Sequence, residues 1–251
     1  RTSTSGGTRL LLRKLHIRWW HATAAQMTNL LKRAGAPAEV LDMISEIVQT
    51  CSACRAWHKP LPESVASVEL ADQFNNQVEA DILFVYKFMI FHMVDRCTRW
   101  HAAKVISGKE EECLIEALEG NWIQLHGPMK ELIMDMESGV AKSEKTHTYL
   151  KRRGVKFAPR APGQHARIVE RRGALLRDTI HRIDAQLKWE GIDIPFKIRV
   201  GEAVFAGNAL LTVNNTTPYN AVYGRVPHLL PDIHALGDES TANKSMPGLI
   251  R

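Results

Sequence analysis

Apolar residues recur at helical spacing in the first quarter of the chain and at strand spacing after it. In AAQMTNLLKRAG, Met27, Leu30, Leu31 and Ala34 share one side of a helix that Thr23 is placed to cap and Gly35 to stop. Pro37 opens a second predicted helix with the stripe Val40, Leu41, Ile44, Ile47 and Val48, which leads directly into Cys51. Residues 9–58 therefore read as a small helical unit behind a polar linker at 1–8, and 59–75, with Pro60 and Pro62, reads as a second linker. Strand-like runs rich in Val, Ile, Phe and Tyr follow at 77–86, 88–95 and 100–106. A helix over 110–125, a strand at 131–135, a helix over 143–153 and a strand at 155–158 come next. Three consecutive strands and then alternating helix and strand predict an α/β domain, a mixed five-stranded sheet covered by helices. The clearest helix spans 165–189, where Val169, Gly173, Leu176, Ile180, Ile183 and Leu187 step by threes and fours along one face. Glu170 lies off the edge of that face with Ala174, Arg177 and His181. One further helix over 195–212 and a Pro-punctuated extension at 217–251 end the chain, and the main domain is expected over 76–216.

Composition changes this picture in two ways. No run of eighteen apolar residues exists, so a membrane-spanning helix and a membrane partner are not expected, and residues 1–8 lack the apolar stretch of a secretory signal. The missing initiator Met suggests a fragment or a polyprotein piece. The net charge of +6 is unevenly spread: +6 over 1–60, −7 over 61–150, +8 over 151–200 and −1 over 201–251. Acid collected before a basic segment suits a cation pocket edged by a phosphate-binding rim, although a basic helix can equally present a solvated face.

Two constellations carry chemistry. His16-x4-His21 and Cys51-x2-Cys54 supply two imidazoles and two thiolates across a helical hairpin, the donor set of a closed tetrahedral zinc site. No thioredoxin-like strand precedes Cys51, which argues against a redox C-x-x-C, and His58 is a less favoured alternative ligand. About fifty residues with little apolar material need such a staple. Cys97 and Cys113 read as ordinary thiols. The second constellation is Asp81, in the apolar run VEADILFV; Asp135, at the end of ELIMD; and Glu170 on the long helix. A carboxylate inside such a strand is costly unless paired or metal-bound, and three carboxylates suit magnesium or manganese. Asp95, also at a strand end, competes with Asp81; Glu137 reads as a solvated loop acid, and Glu110, Glu111 and Glu112 suit a helix start.

The pattern H-x4-H…C-x2-C followed by D-x53-D-x34-E resembles the integrases of retroviruses and long-terminal-repeat retrotransposons. MVDRCTRW (93–100), IVERRGALLR (168–177) and TPYNAVYGRVP (217–227) resemble corresponding stretches of retrotransposon integrases, so the resemblance covers about residues 9–230. It implies a zinc-binding helical domain before a ribonuclease-H-like core, with Asp81, Asp135 and Glu170 as the triad holding two Mg²⁺ or Mn²⁺ ions. It implies an enzyme that processes the 3′ ends of element DNA and joins them to target DNA, without a covalent enzyme intermediate. The implied partners are double-stranded DNA, as element ends and as target, and further copies of the chain; the implied place of action is the nucleus, after a cytoplasmic particle stage. Lys151, Arg152, Arg153, Lys156, Arg160, Arg167, Arg171 and Arg172 are the expected phosphate contacts, with Gln164 and His165 on a DNA-facing loop.

Two loops depart from the family pattern. Met136, Glu137 and Ser138 delay to Gly139 the glycine that follows the second Asp, and Ala166-Arg167 replaces an Asn-Gly before the Glu. These departures motivate the alternative of a catalytically degenerate or domesticated DNA- or protein-binding relative. A nuclease of the same fold acting on RNA–DNA hybrids is a third reading, against which the zinc hairpin argues.

Overall fold

The computed structural model describes residues 5–57, 71–135, 143–160, 167–213 and 215–229. These group into two compact units, one drawn from 1–61, 178–194 and 226–251, the other from 62–177 and 195–225.

The first unit begins with α1 (Ser5–Arg18), α2 (Ala24–Arg33), α3 (Ala38–Asp42), α4 (Ile44–Gln49) and α5 (Ser52–Ala56). Thr23 caps α2 through a full capping box with Gln26, so the predicted start is the observed one. Two expectations change. The 1–8 linker gives way at Ser5 to α1, whose buried Leu12 and Leu15 recruit the preceding turns into one amphipathic helix. The predicted second helix breaks at Met43 into α3 and α4, and only Ile44 and Ile47 of its five stripe residues are fully buried.

The second unit is built on five strands: β1 (Gln77–Val85), β2 (Phe88–Asp95), β3 (His101–Ile106), β4 (Glu131–Asp135) and β5 (Lys156–Arg160). They lie in the order β3-β2-β1-β4-β5, with β1–β2 and β2–β3 antiparallel and β1–β4 and β4–β5 parallel. This is the mixed five-stranded sheet with flanking helices that the pattern of runs predicts. The linker expected over 59–75 lies partly outside the described residues, but 71–75 form a structured turn. Asn75 takes the left-handed backbone that Asn tolerates (φ 66°), and its side-chain amide donates to the carbonyls of His126, Gly127 and Pro128.

One sheet face carries Val78, Ala80, Phe91, Met93, Leu132 and Met134, as strand alternation requires. They pack against α6 (Glu111–Leu118), a π-helical turn (Glu119–Ile123) leading into α7 (Gln124–His126), and α8 (Glu144–Arg152). The sequence reads 110–125 as one uninterrupted helix; the π turn buries Trp122 while its indole Nε1–H donates to Asn75 Oδ1 at 2.8 Å. On the other face lies the first part of α9 (Arg167–Glu190), which from Asp178 on belongs to the first unit; its six predicted core positions are all buried. Gly173 lets helix and sheet approach closely: a Cβ there would sit 3.1 Å from His92 Cε1, a tight contact that the ring would have to yield to. α10 (Phe196–Leu210) covers β3, and α11 (Pro218–Tyr223) follows a Thr217 cap. Tyr219 and Tyr223 meet the ring of Trp100, so the unit continues past the predicted boundary at 216. On the outer strand β5, Pro159 pairs with Met134 of β4.

His92 and His101 are buried side by side, Nδ1 to Nε2 at 3.2 Å, close to the guanidinium of Arg172. Burial, reinforced by Arg172 and Arg177, depresses His92 to about 3; burial, reinforced by Arg172 and His92, depresses His101 well below its ordinary value. Both imidazoles stay neutral when folded, whereas the unfolded chain takes up protons below about pH 6.5. The stability they confer is therefore complete above pH 6.5 and falls, by about 1.4 kcal/mol per pH unit for each histidine, as the pH drops toward the folded-state values. In an NMR titration two imidazoles should show no protonation between about pH 7.5 and 5; titration of all near 6.5 would contradict this.

Candidate metal centre and carboxylate edge

The His/Cys constellation assembles. His16 sits on the last turn of α1, and His21 in the turn before α2. Cys51 is the residue before α5, and Cys54 lies within that helix. Trp20 and His21 are consecutive non-glycine residues with left-handed backbone (φ 51° and 60°), which costs about 1–3 kcal/mol each and turns the chain back so that both rings meet. His16 Nε2 is 3.3 Å from His21 Nδ1 and 3.4 Å from Cys54 Sγ, and Cys51 Sγ is 3.3 Å from His21 Nδ1. All four donor atoms lie within 4.8 Å of one another. Tetrahedral bonds of zinc length put ligand atoms roughly 3.3–3.8 Å apart, so the set needs only a small adjustment to take such an ion.

The surroundings fit as well. His16 Nδ1 faces the carbonyl of Ala22 at 3.0 Å, which fixes the tautomer with Nε2 open to the cluster. Hydrogen bonding by Cys54, and after it by His16 and His21, draws Cys51 well down toward thiolate against the cost of burial, while Cys51, and burial after it, push Cys54 up. Two thiols crowded in this way compete for protons that a divalent cation would displace. The cluster is a His2Cys2 site able to hold a metal. His58 lies outside the described residues.

The carboxylates are positioned by the sheet. In the parallel β1–β4 pair, Val78 is opposite Leu132 and Glu79 opposite Ile133. Counting two residues on along both strands brings Asp81 level with Asp135, at the end of β4. Asp81 is half-buried, and its Oδ1 accepts from the Ile82 amide at 2.7 Å; of Asp135 the backbone is described.

Glu170 is exposed, on the first turns of α9. That helix is anchored along β1: the Val169 amide donates to Glu79 Oε2 at 3.0 Å, and Gly173 packs on His92 and Leu83. Its flanks are oriented by Arg172, whose Nη2 donates to Asn208 Oδ1 of α10 at 3.0 Å, while Asn208 in turn bonds the backbone of His101 in β3. Two residues of helix turn the side chain through about 200°, so Glu170 faces the flank away from β3, the side on which β4 adjoins β1.

Asp95 is excluded from this arrangement. It pairs with Val78, three residues before Asp81 on β1, and so lies on the other face of the sheet. It is fully buried, and its oxygens accept from the Asn75 amide, the Thr98 amide and the Thr98 hydroxyl. Its work is to fasten the turn between β2 and β3. Glu137 lies outside the described residues, and Glu111 and Glu112 start α6 as expected.

The expected phosphate contacts divide. Lys151, Arg152 and Arg171 are exposed. Arg153 pairs with Glu119 and Lys156 with Glu131, at 2.8 and 2.9 Å. Arg172 is a correction: at 4% exposure, with its guanidinium on Asn208 and its pKa brought down to about 9 by burial and then by Arg99, it cannot face a phosphate backbone. Gln164 and His165, and the side chains of Arg160 and Arg167, lie outside the described residues. Sequence reasoning missed Glu79, a buried acid that bonds the start of α9 and lies 3.5 Å from the guanidinium of Arg96. Its only sequence signal is a charge at a strand position sharing the face of Asp81.

Neither protein-family profiles nor curated protein sequences match this chain. Solved structures do. A chain of the simian T-cell lymphotropic virus intasome, determined in complex with PP2A regulatory subunit B56 gamma, superposes with a TM-score of 0.64 at 19% identity, covering 88% of this chain and 76% of that one. The HTLV-2 integrase catalytic core domain in complex with magnesium gives 0.50 at 15% identity, over 59% of this chain and 95% of its own. The second unit therefore has the fold of a retroviral integrase catalytic core, a ribonuclease-H-like α/β sheet, preceded by a helical unit bearing the His2Cys2 group. Among the described residues no helix is long and apolar enough to cross a membrane.

Proposed function

We propose that this chain is a retroelement integrase, a polynucleotidyl transferase that processes 3′ ends of element DNA and joins them to target DNA. What supports this reading is the parallel pairing of β1 with β4, which continued by two residues sets Asp81 level with Asp135, and the anchoring of the turn of α9 that carries Glu170 to β1 through Glu79. In this reading Asp81, Asp135 and Glu170 hold two Mg²⁺ or Mn²⁺ ions. Such a pair, when bound, supplies an activated water or 3′-hydroxyl and a stabilised leaving oxygen. The residues of the chain do the rest. Asp81 presents its carboxylate from a rigid strand, and the exposed Lys151, Arg152 and Arg171 bind phosphate oxygens, which makes affinity fall with salt. Arg153 and Lys156 join them by exchanging their carboxylate partners for phosphate, and Arg160, Gln164, His165 and Arg167 are further DNA contacts in this reading. His16, His21, Cys51 and Cys54 hold a structural zinc ion. Acting on two element ends at once calls for several copies of the chain, and the chromosomal target puts the reaction in the nucleus. The similarity to an intasome chain and to a magnesium-bound core supports this reading.

The test is a joining assay on short duplexes with Mg²⁺ or Mn²⁺. The expected products are trimmed 3′ ends and strands joined to target DNA, both lost with EDTA. Salt-dependent DNA binding without either product would favour the degenerate alternative, and cleavage of RNA–DNA hybrids without joining would favour a nuclease.

A further inference from the structure

We propose that Glu79 is a positioning residue that sets the distance between Asp81 and Glu170. The inference rests on the functional reading above and adds a residue to it. Glu79 and Asp81 alternate onto the same face of β1, about 7 Å apart along the strand. Val169, whose amide Glu79 accepts, is the third residue of α9 and immediately precedes Glu170. The first four amides of a helix have no partner inside it and are ordinarily met by a nearby Ser, Thr, Asp or Asn. Between Pro159 and Arg167 the chain offers none of these residues. The acceptor comes instead from a strand ninety residues away, and as an anion it also complements the positive end of the helix.

The two oxygens have separate duties. Oε2 takes the Val169 amide, and Oε1 lies 3.5 Å from Arg96 Nε, with both side chains largely withdrawn from solvent. A carboxylate held on both sides cannot swing, so the first turn of α9 is fixed against β1 at the level where the metal-binding groups must converge. Groups of this kind, one shell behind the ligands, are worth roughly 10–100-fold in metal affinity.

Three zinc-loaded full-length variants test the assignment by Mn²⁺ binding, with free Mn²⁺ read by electron paramagnetic resonance, alongside the Mn²⁺ needed for half-maximal joining. Glu79→Ala should weaken Mn²⁺ binding about 10–100-fold and raise the half-maximal concentration by the same factor. Glu79→Gln, whose amide oxygen still accepts from Val169, should stay within about threefold of wild type. If Glu79→Ala lowers the melting temperature but binds Mn²⁺ normally, Glu79 is a stability residue and the proposal fails. It also fails if Glu79→Gln is as impaired as Glu79→Ala, since charge and not the tether would then matter. Asp135→Asn separates the layers: if that variant binds Mn²⁺ as wild type does, the functional reading falls and Glu79 with it.

Discussion

Replacing Cys51 by serine should leave the first unit unable to hold zinc and largely unfolded, while the sheet of the second unit persists. The apolar material that residues 5–57 bring to this unit is thin: Leu12, Leu15, Trp19, Met27, Leu31, Ile44 and Ile47 make up most of their buried side chains, on helices of five to fourteen residues, and Ile180, Ile183 and Leu187 supply more from α9. Helices that short are not stable alone. A structural zinc ion contributes on the order of 10 kcal/mol of apparent binding energy that is also folding energy, more than a unit of this size holds in reserve. Loss of one thiolate also weakens what holds the left-handed turn at Trp20 and His21 against its cost. Zinc content should drop from one equivalent toward none, helical circular dichroism should fall, and trypsin should cut at the lysines and arginines of α1 and α2. Cys97→Ser and Cys113→Ser, outside the cluster, should change none of these. A Cys51→Ser protein with a full zinc equivalent and native helicity would refute the assignment.

Asp135→Asn should lower 3′-processing and joining together by more than about 100-fold. Groups that support metal ligands from behind are worth up to about 100-fold, so loss of a charged ligand should exceed that. The amide keeps the shape and most of the hydrogen bonding of the acid but supplies no charge to a hard cation. DNA binding through the basic edge should survive, with an unchanged salt slope, because none of those contacts involves Asp135. Electrophoretic mobility shift and the joining assay on one preparation read both quantities. Retention of activity within about tenfold would remove Asp135 from the site.

The elements were legible because alternation and helical stripes are properties of the chain itself. β2 and β4 begin and end where their apolar runs do, and α9 buries all six predicted positions. The His2Cys2 set was equally legible, since four soft donors at those spacings have few other uses. What was not legible depends on partners distant in sequence. Arg171 and Arg172 are identical in type and adjacent, yet a turn of about 100° exposes one and buries the other against Asn208. Asn75 reads as part of a linker until the carbonyls of 126–128 close over its amide. Glu79 reads as a stray charge until Val169 arrives from ninety residues away. The break at Met43 and the π turn at 119–123 likewise leave no mark in the apolar periodicity of the chain.

Pro159 on β5 has a bearing on self-association. A residue without an amide hydrogen on an outermost strand interrupts the row of donors that another strand would need. With exposed Lys156 beside it, that rim is closed to edge-to-edge growth of the sheet into ribbons or fibrils. Copies of this chain that associate would therefore meet through helices and loops instead of by lengthening the sheet past β5.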